Sequence, residues 1–248
     1  MEPLRADRGG PSMERLPVRS MARATMVAAV AGFAATPALA TSTGLFGTAE
    51  YRTESLAELP QWQGVIRRMA AEAAITAACR EAADRCPSHA TRAWSALLHS
   101  LDGAPTRTQL REVNRFVNGW PYRADADNYD RSDYWATPLE FFRRSGDCED
   151  YVIAKYRSLR LLGLPAEQLR MVVVQDVVRG LPHAVLAVYL AEEVLILDNL
   201  SDDVLPQARI RNYLPYYSVN ETSRWAHAAP DDLPLARAVS AGTSPTRP

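Results

Sequence analysis

Lysine is nearly missing from this chain: Lys155 stands alone among a combined 28 lysines and arginines. Surplus charge is missing too. A net charge of −1 excludes the electrostatic footprint of a nucleic-acid partner or an anionic membrane surface. Long apolar runs are absent. The stretch Met26 to Ala35 falls short of the ~20 residues that a spanning helix needs, and no other segment comes closer. There is no internal repeat. Histidine and cysteine are scarce, at four and three residues. Few groups are therefore available for acid–base or thiol chemistry, and each can be weighed singly.

What is there is ordinary for a folded protein. Apolar residues make up 47% and charged residues 23% of 248 positions, enough for one globular domain with extra segments at its ends. Arg15, Arg19 and Arg23 precede the apolar stretch, and Ala38-Leu39-Ala40 follows it as an A-x-A cleavage site. Residues 1–40 are expected to be a signal peptide, with Met13 and Met21 as alternative starts and the mature protein beginning near Thr41, outside the cytoplasm. Residues 41–228 form the expected domain. Residues 229–248, rich in Pro and Ala, are expected to be a disordered tail.

An odd cysteine count in an exported protein leaves one thiol over. Cys79 and Cys86 are close in sequence. On one unbroken helix their Cα atoms would lie about 10.5 Å apart, given ~1.5 Å of rise per residue. A disulfide needs less than about 7 Å. Pro87 disfavours helical geometry at Cys86, so an earlier helix end would let the chain turn back and bridge. Both outcomes stay open on spacing alone. Cys148 is the free thiol either way.

Helical periodicity runs from Trp62 to about Arg85, then through Trp94, Leu97, Leu98 and Leu101, then after Pro105 through Leu110, Val113, Phe116 and Val117, with Thr106 or Thr108 as cap. Trp120 to Tyr134 reads as a long ordered loop rich in Asp and Tyr. A short helix, Pro138 to Arg144, leads to Ser145-Gly146-Asp147-Cys148. The clearest helix follows, Glu149 to Leu162, with Gly163 as its stop and Pro165 beyond. The period then changes to strands: Leu169 to Val178, His183 to Leu190 and Val194 to Leu197, with a mixed segment from Leu205 to Tyr217. Helices first and strands after indicate an α+β domain.

Cys148 sits at the start of a helix, where unpaired N–H groups and the helix dipole favour a thiolate. A buried inert cysteine is the competing reading. Of the four histidines, His183 opens a strand and Asp198 closes the next. A hairpin folded about Leu190-Ala191 pairs positions that sum to 381, which sets His183 directly opposite Asp198, within the ~4.5–5.5 Å of cross-strand Cβ neighbours. A carboxylate there fixes the orientation of an imidazole base. Taken singly, each of the two has a plain structural explanation: a strand-end histidine and a turn aspartate. Asp147, Glu149 and Asp150 crowd three carboxylates around the cysteine, which raises a thiol pKa. A divalent cation would reverse that effect, and carboxylate oxygens suit calcium. Asp125, Asp127, Asp130 and Asp133 of the acidic loop are further candidate ligands, though not at EF-hand spacing.

Gly146-Asp147-Cys148-Glu149-Asp150-Tyr151 resembles the signature of the bacterial transglutaminase-like cysteine proteinases, the LapG family. The resemblance extends in order through Val113-Asn114, Asn118, Asp133-Tyr134-Trp135, His183-Ala184-Val185-Leu186 and Leu197-Asp198-Asn199-Leu200, roughly Leu45 to Asn220. It implies a papain-like or transglutaminase-like fold and a triad of Cys148, His183 and Asp198. It also implies calcium dependence, with Asp147, Glu149 and then Asp150 as ligands. Such proteins are periplasmic, cut a large surface adhesin at a di-alanine site in its N-terminal region to release cells from biofilm, and are sequestered by an inner-membrane cyclic di-GMP receptor. Two further readings keep the fold: a transamidating enzyme using the same triad, and a non-catalytic calcium-binding adaptor.

Overall fold

The computed structural model describes residues 44–229. The expected signal peptide lies outside the described residues, as does the expected tail beyond residue 229. Among the described residues, no helix is long and apolar enough to cross a membrane.

A short strand, β1 (Ala49–Thr53), precedes the helices α1 (Pro60–Ala71), α2 (Ala73–Glu81), α3 (His89–Ser100), α4 (Thr106–Asn118), α5 (Asp125–Tyr129), α6 (Pro138–Arg144) and α7 (Cys148–Leu161). Six strands follow: β2 (Leu169–Asp176), β3 (Leu181–Tyr189), β4 (Val194–Asp198), β5 (Ser201–Pro206), β6 (Tyr213–Val219) and β7 (Arg224–Ala228). They form one antiparallel sheet in the order β1-β7-β6-β2-β3-β4-β5. The fold is α+β, as the order of periodicities predicts.

β2 and β3 lie at the centre and are covered on both faces, which is why they read as unbroken apolar runs. Leu169, Met171, Ala184, Leu186 and Val188 face the helices, in a core with Trp62, Trp94, Leu110, Phe141 and Ile153. Val172, Val174, Val185 and Ala187 face the other way, onto Leu45, Ile196 and Tyr213. Buried indole N–H groups are satisfied: Trp62 donates to the Asn220 carbonyl at 2.8 Å and Trp94 to Ser158 Oγ at 2.8 Å.

α7 is the axis of the helical layer and packs on β2 and β3. It ends in a Schellman motif: Gly163 takes φ +97°, its N–H donates to the Arg160 carbonyl, and that of Leu164 donates to the Leu159 carbonyl. The expected stop is therefore the observed one.

Several expectations are corrected. The segment from Trp62 to Arg85 is two helices, broken at Glu72, and the second ends at Glu81. Ala82 is extended and a 3-10 turn follows, so the chain doubles back and the Cys79–Cys86 disulfide forms with Cα atoms 4.3 Å apart. The Trp120–Tyr134 loop contains α5. The mixed segment Leu205–Tyr217 is the end of β5, a turn and the start of β6. β1 and β7 were not expected: they pair at a half-exposed sheet edge, where alternation is weak. Neither Thr106 nor Thr108 caps α4; its N-cap is Pro105.

Candidate active site

Gly146 brings the chain into α7 at close quarters, and Cys148 is the first helical residue, with Asp147 as N-cap. The thiol is the one free cysteine among the described residues and is only partly exposed. Its Sγ donates to Glu149 Oε2 at 3.0 Å. Burial, then the neighbouring Glu149 and Asp147 carboxylates, push the thiol pKa far up; the backbone of Ala184 pulls the other way.

His183 lies near the start of β3 and is 4% exposed. Its Nε2 meets Asp198 Oδ1 at 2.9 Å, so Nδ1 is the nitrogen left for other work. The register that brings them together differs from the expected one. Leu186 pairs Leu197 and Tyr189 pairs Val194, so paired positions sum to 383 rather than 381. The hairpin loop is Leu190–Glu193, closed by the Leu190 N–H on the Glu193 carbonyl at 2.9 Å. A two-residue slip preserves the face where a one-residue slip would have reversed it. His183 and Asp198 are thus diagonal neighbours just past the end of the ladder.

Asp198 is 8% exposed and heavily bonded. Oδ1 also accepts from the Leu200 N–H at 3.0 Å, and Oδ2 accepts from Tyr213 Oη at 2.6 Å. Its backbone carbonyl accepts from Asn118 Nδ2 at 3.0 Å. Burial works to raise the carboxyl pKa, and the hydrogen bonds and charge interaction with His183, together with Tyr213 and Leu200, outweigh it, so the group is held below its usual range.

Cys148 and His183 line one cleft. One lobe, ≈ 530 Å³, is walled by Trp120, Tyr122, Arg179, Leu181 and Leu200. The other, ≈ 470 Å³, runs over Met171, Val173 and Tyr217 and carries Asp133, Asp147 and Glu149. Tyr122, Cys148, Pro182 and His183 belong to both lobes, so the lobes meet beside the thiol.

Beneath the thiol, Asp125, Asp147 and Glu149 bring one oxygen each within 4.8 Å of one another. Asp125 Oδ1 and Asp147 Oδ1 are buried without a protein partner. Burial, then Glu149 and Asp150, drive the Asp147 pKa up to about 9; burial raises Asp125 to about 6. Three carboxylates that repel one another, one of them buried and two with an oxygen that lacks a protein donor, are a hard-oxygen set that fits calcium. Asp150, expected as a ligand, lies outside this trio, though its Oδ2 is likewise buried without a protein partner. It is fully buried, its Oδ1 accepts from the Ala136 N–H at 2.6 Å, and burial pushes its pKa up to about 8. Asp125 from α5 stands with Asp147 and Glu149.

A helix-terminal thiol that shares a cleft with a histidine–aspartate pair, on this fold, offers the residue types that papain-like cysteine peptidases use. Comparison with known proteins narrows the class. The chain belongs to the bacterial transglutaminase-like cysteine proteinases, whose family model matches residues 67–232. Among solved structures, Legionella pneumophila LapG is similar at 33% identity and TM-score 0.54, over 61% of this chain and 87% of that one. Its calcium-bound form gives 33% and 0.52, over 61% and 88%. Its EGTA-treated form gives 31% and 0.54, over 66% and 95%. No curated protein matches the chain significantly.

Proposed function

We propose that this protein is an exported, calcium-dependent cysteine endopeptidase that cuts the N-terminal region of a large surface adhesin. The observation that carries the reading is the His183–Asp198 contact of 2.9 Å in the cleft that also holds the Cys148 thiol. Asp198 orients His183 through Nε2 and leaves Nδ1 to take the thiol proton. Cys148 Sγ then attacks the substrate carbonyl carbon, and His183 returns the proton to the leaving amine. Water, deprotonated by His183, attacks the thioester and frees the acid, and the proton goes back to Sγ. The Cys148 backbone N–H, unpaired in the first turn of α7, is placed to donate to the oxyanion.

Asp125, Asp147 and Glu149 would hold the calcium ion. When bound, it supplies positive charge that offsets their mutual repulsion and competes with the Cys148 thiol for Glu149. The fit of the carboxylate set and the calcium-bound state of the similar Legionella pneumophila protein support this assignment. The disulfide, a bond favoured outside the cytoplasm, and the signal-like residues 1–40 support export to the periplasm. The adhesin substrate, a di-alanine cleavage site and sequestration by an inner-membrane cyclic di-GMP receptor are proposed by analogy with the family that the chain resembles.

The test is cleavage of a candidate adhesin N-terminal region containing Ala-Ala by the purified protein, compared with Cys148→Ala and His183→Ala. Cleavage by the native protein alone, with both variants folded, is expected. Incorporation of an added amine without any hydrolysed peptide would reassign the chain to transamidation. Folded protein that cuts nothing, and whose thiol ignores iodoacetamide in calcium, would leave a calcium-binding adaptor.

A further inference from the structure

Asp198 spends both carboxylate oxygens inside the protein. Oδ1 serves His183 and the Leu200 N–H; Oδ2 is taken by Tyr213 Oη at 2.6 Å, among the shortest side-chain contacts around the cleft. The tyrosine comes from β6, which is separated from β4 by β2 and β3 in the sheet. Its ring is 6% exposed, packs edge-on against Phe46 with centroids 6.0 Å apart, and lies 5.7 Å from the His183 ring. Tyr213 is therefore anchored in the second core, on the face of the sheet away from α7. Its hydroxyl sits at a fixed point against Asp198.

A carboxylate bonded only through Oδ1 can turn about its Cβ–Cγ bond and swing its lone pairs off the imidazole. A second bond at Oδ2, from a donor on an independent strand, stops that rotation. We propose that Tyr213 is a positioning residue, which locks the Asp198 carboxylate so that Oδ1 faces His183 Nε2; this rests on the reading of His183 and Asp198 as the catalytic pair. Asn118, holding the Asp198 backbone carbonyl from α4, fixes the same residue at its other end. The buried Lys155 of α7 feels the charge of Asp198 without bonding to it.

A double-mutant cycle tests this, because a residue that acts through Asp198 has no effect once Asp198 is gone. The probe is the rate at which iodoacetamide alkylates Cys148 in calcium, measured for Tyr213→Phe, Asp198→Ala and the double variant. The second readout is the His183 imidazole NMR signal, identified by its loss in His183→Ala. Tyr213→Phe is expected to slow alkylation about tenfold, to shift the His183 signal and to leave the melting temperature within a few degrees of native. On the Asp198→Ala background it should slow alkylation no further. Native-rate alkylation with an unmoved His183 signal would overturn the proposal, as would an equal slowing on both backgrounds. An Asp198→Ala protein that alkylates at the native rate would take down the catalytic pair as well, and is distinguishable because the single Asp198 variant alone reveals it.

Discussion

Gly146 and Asp150 compete for the same space: a Cβ built on Gly146 would stand 2.6 Å from Asp150 Cγ. Asp150 cannot yield, since it is fully buried and its Oδ1 holds the Ala136 N–H. The glycine is what lets the Ser145-Gly146-Asp147 segment pass over the first turn of α7 and deliver Cys148 to the cleft. Gly146→Ala is expected to cost about 1–3 kcal/mol by overpacking. The melting temperature should fall by several degrees, and Cys148 alkylation should slow because the thiol is displaced. A variant with native melting and labelling would show that the segment adapts freely.

Calcium should stabilise the protein as well as activate it. Ion bound to the native state alone adds about 2.7 kcal/mol at a hundredfold excess over Kd. EGTA is expected to abolish both this gain and cleavage. Asp125→Asn should weaken calcium binding at least tenfold by titration calorimetry, as Asp147→Asn should. An Asp125→Asn protein with native calcium affinity would return the third ligand to another carboxylate.

Lys155 gives a pH signature. It is fully buried, and burial lowers its pKa to about 7, against the attraction of Asp198 and Asp202, from an ordinary 10.5. Between those values the unfolded state holds the proton that the folded state gives up. Its destabilising effect is therefore full below about pH 7 and fades as pH rises toward 10.5. Lys155→Met should then be more stable than native at pH 6–7, within the range of about 1–4 kcal/mol seen when buried charges are replaced by apolar groups. That advantage should shrink by pH 10. Denaturant unfolding at both pH values measures the difference. An advantage independent of pH would mean that packing alone is at work.

The Cys79–Cys86 bridge closes a small loop, and the chain-entropy relation gives it about 2.5 kcal/mol of stabilisation. It lies away from the cleft and leaves Cys148 untouched. Mild reduction should lower the melting temperature by several degrees while cleavage at room temperature persists. Loss of activity at unchanged melting temperature would point to a role for the bridge beyond stability.

Local signals made much of the site legible. The start and stop of α7, with Gly163 at the end, follow from side-chain period and glycine chemistry, which act over a few residues. The same holds for the single free thiol and for the strand parity that puts His183 and Asp198 on one face. Parity survived an error in register of two residues, because only an odd slip changes faces. Tyr213 had no such signal. It reaches Asp198 from a strand three positions away in the sheet, and nothing in the run Tyr213 to Val219 announces it. Asp125 was visible only as one of several acids in a polar stretch, until α5 set it beside Asp147 and Glu149.

The sequence by itself determined the elements around Cys148, the parity of β3 and β4, and the presence of more carboxylates than one thiol can tolerate. Only the tertiary structure decided which acid completes the cluster, how Asp198 is held at both oxygens and whether Cys79 meets Cys86. The physical reason is range. Capping, periodicity and alternation act within one element, whereas these three outcomes depend on where separate elements come to rest against a shared core.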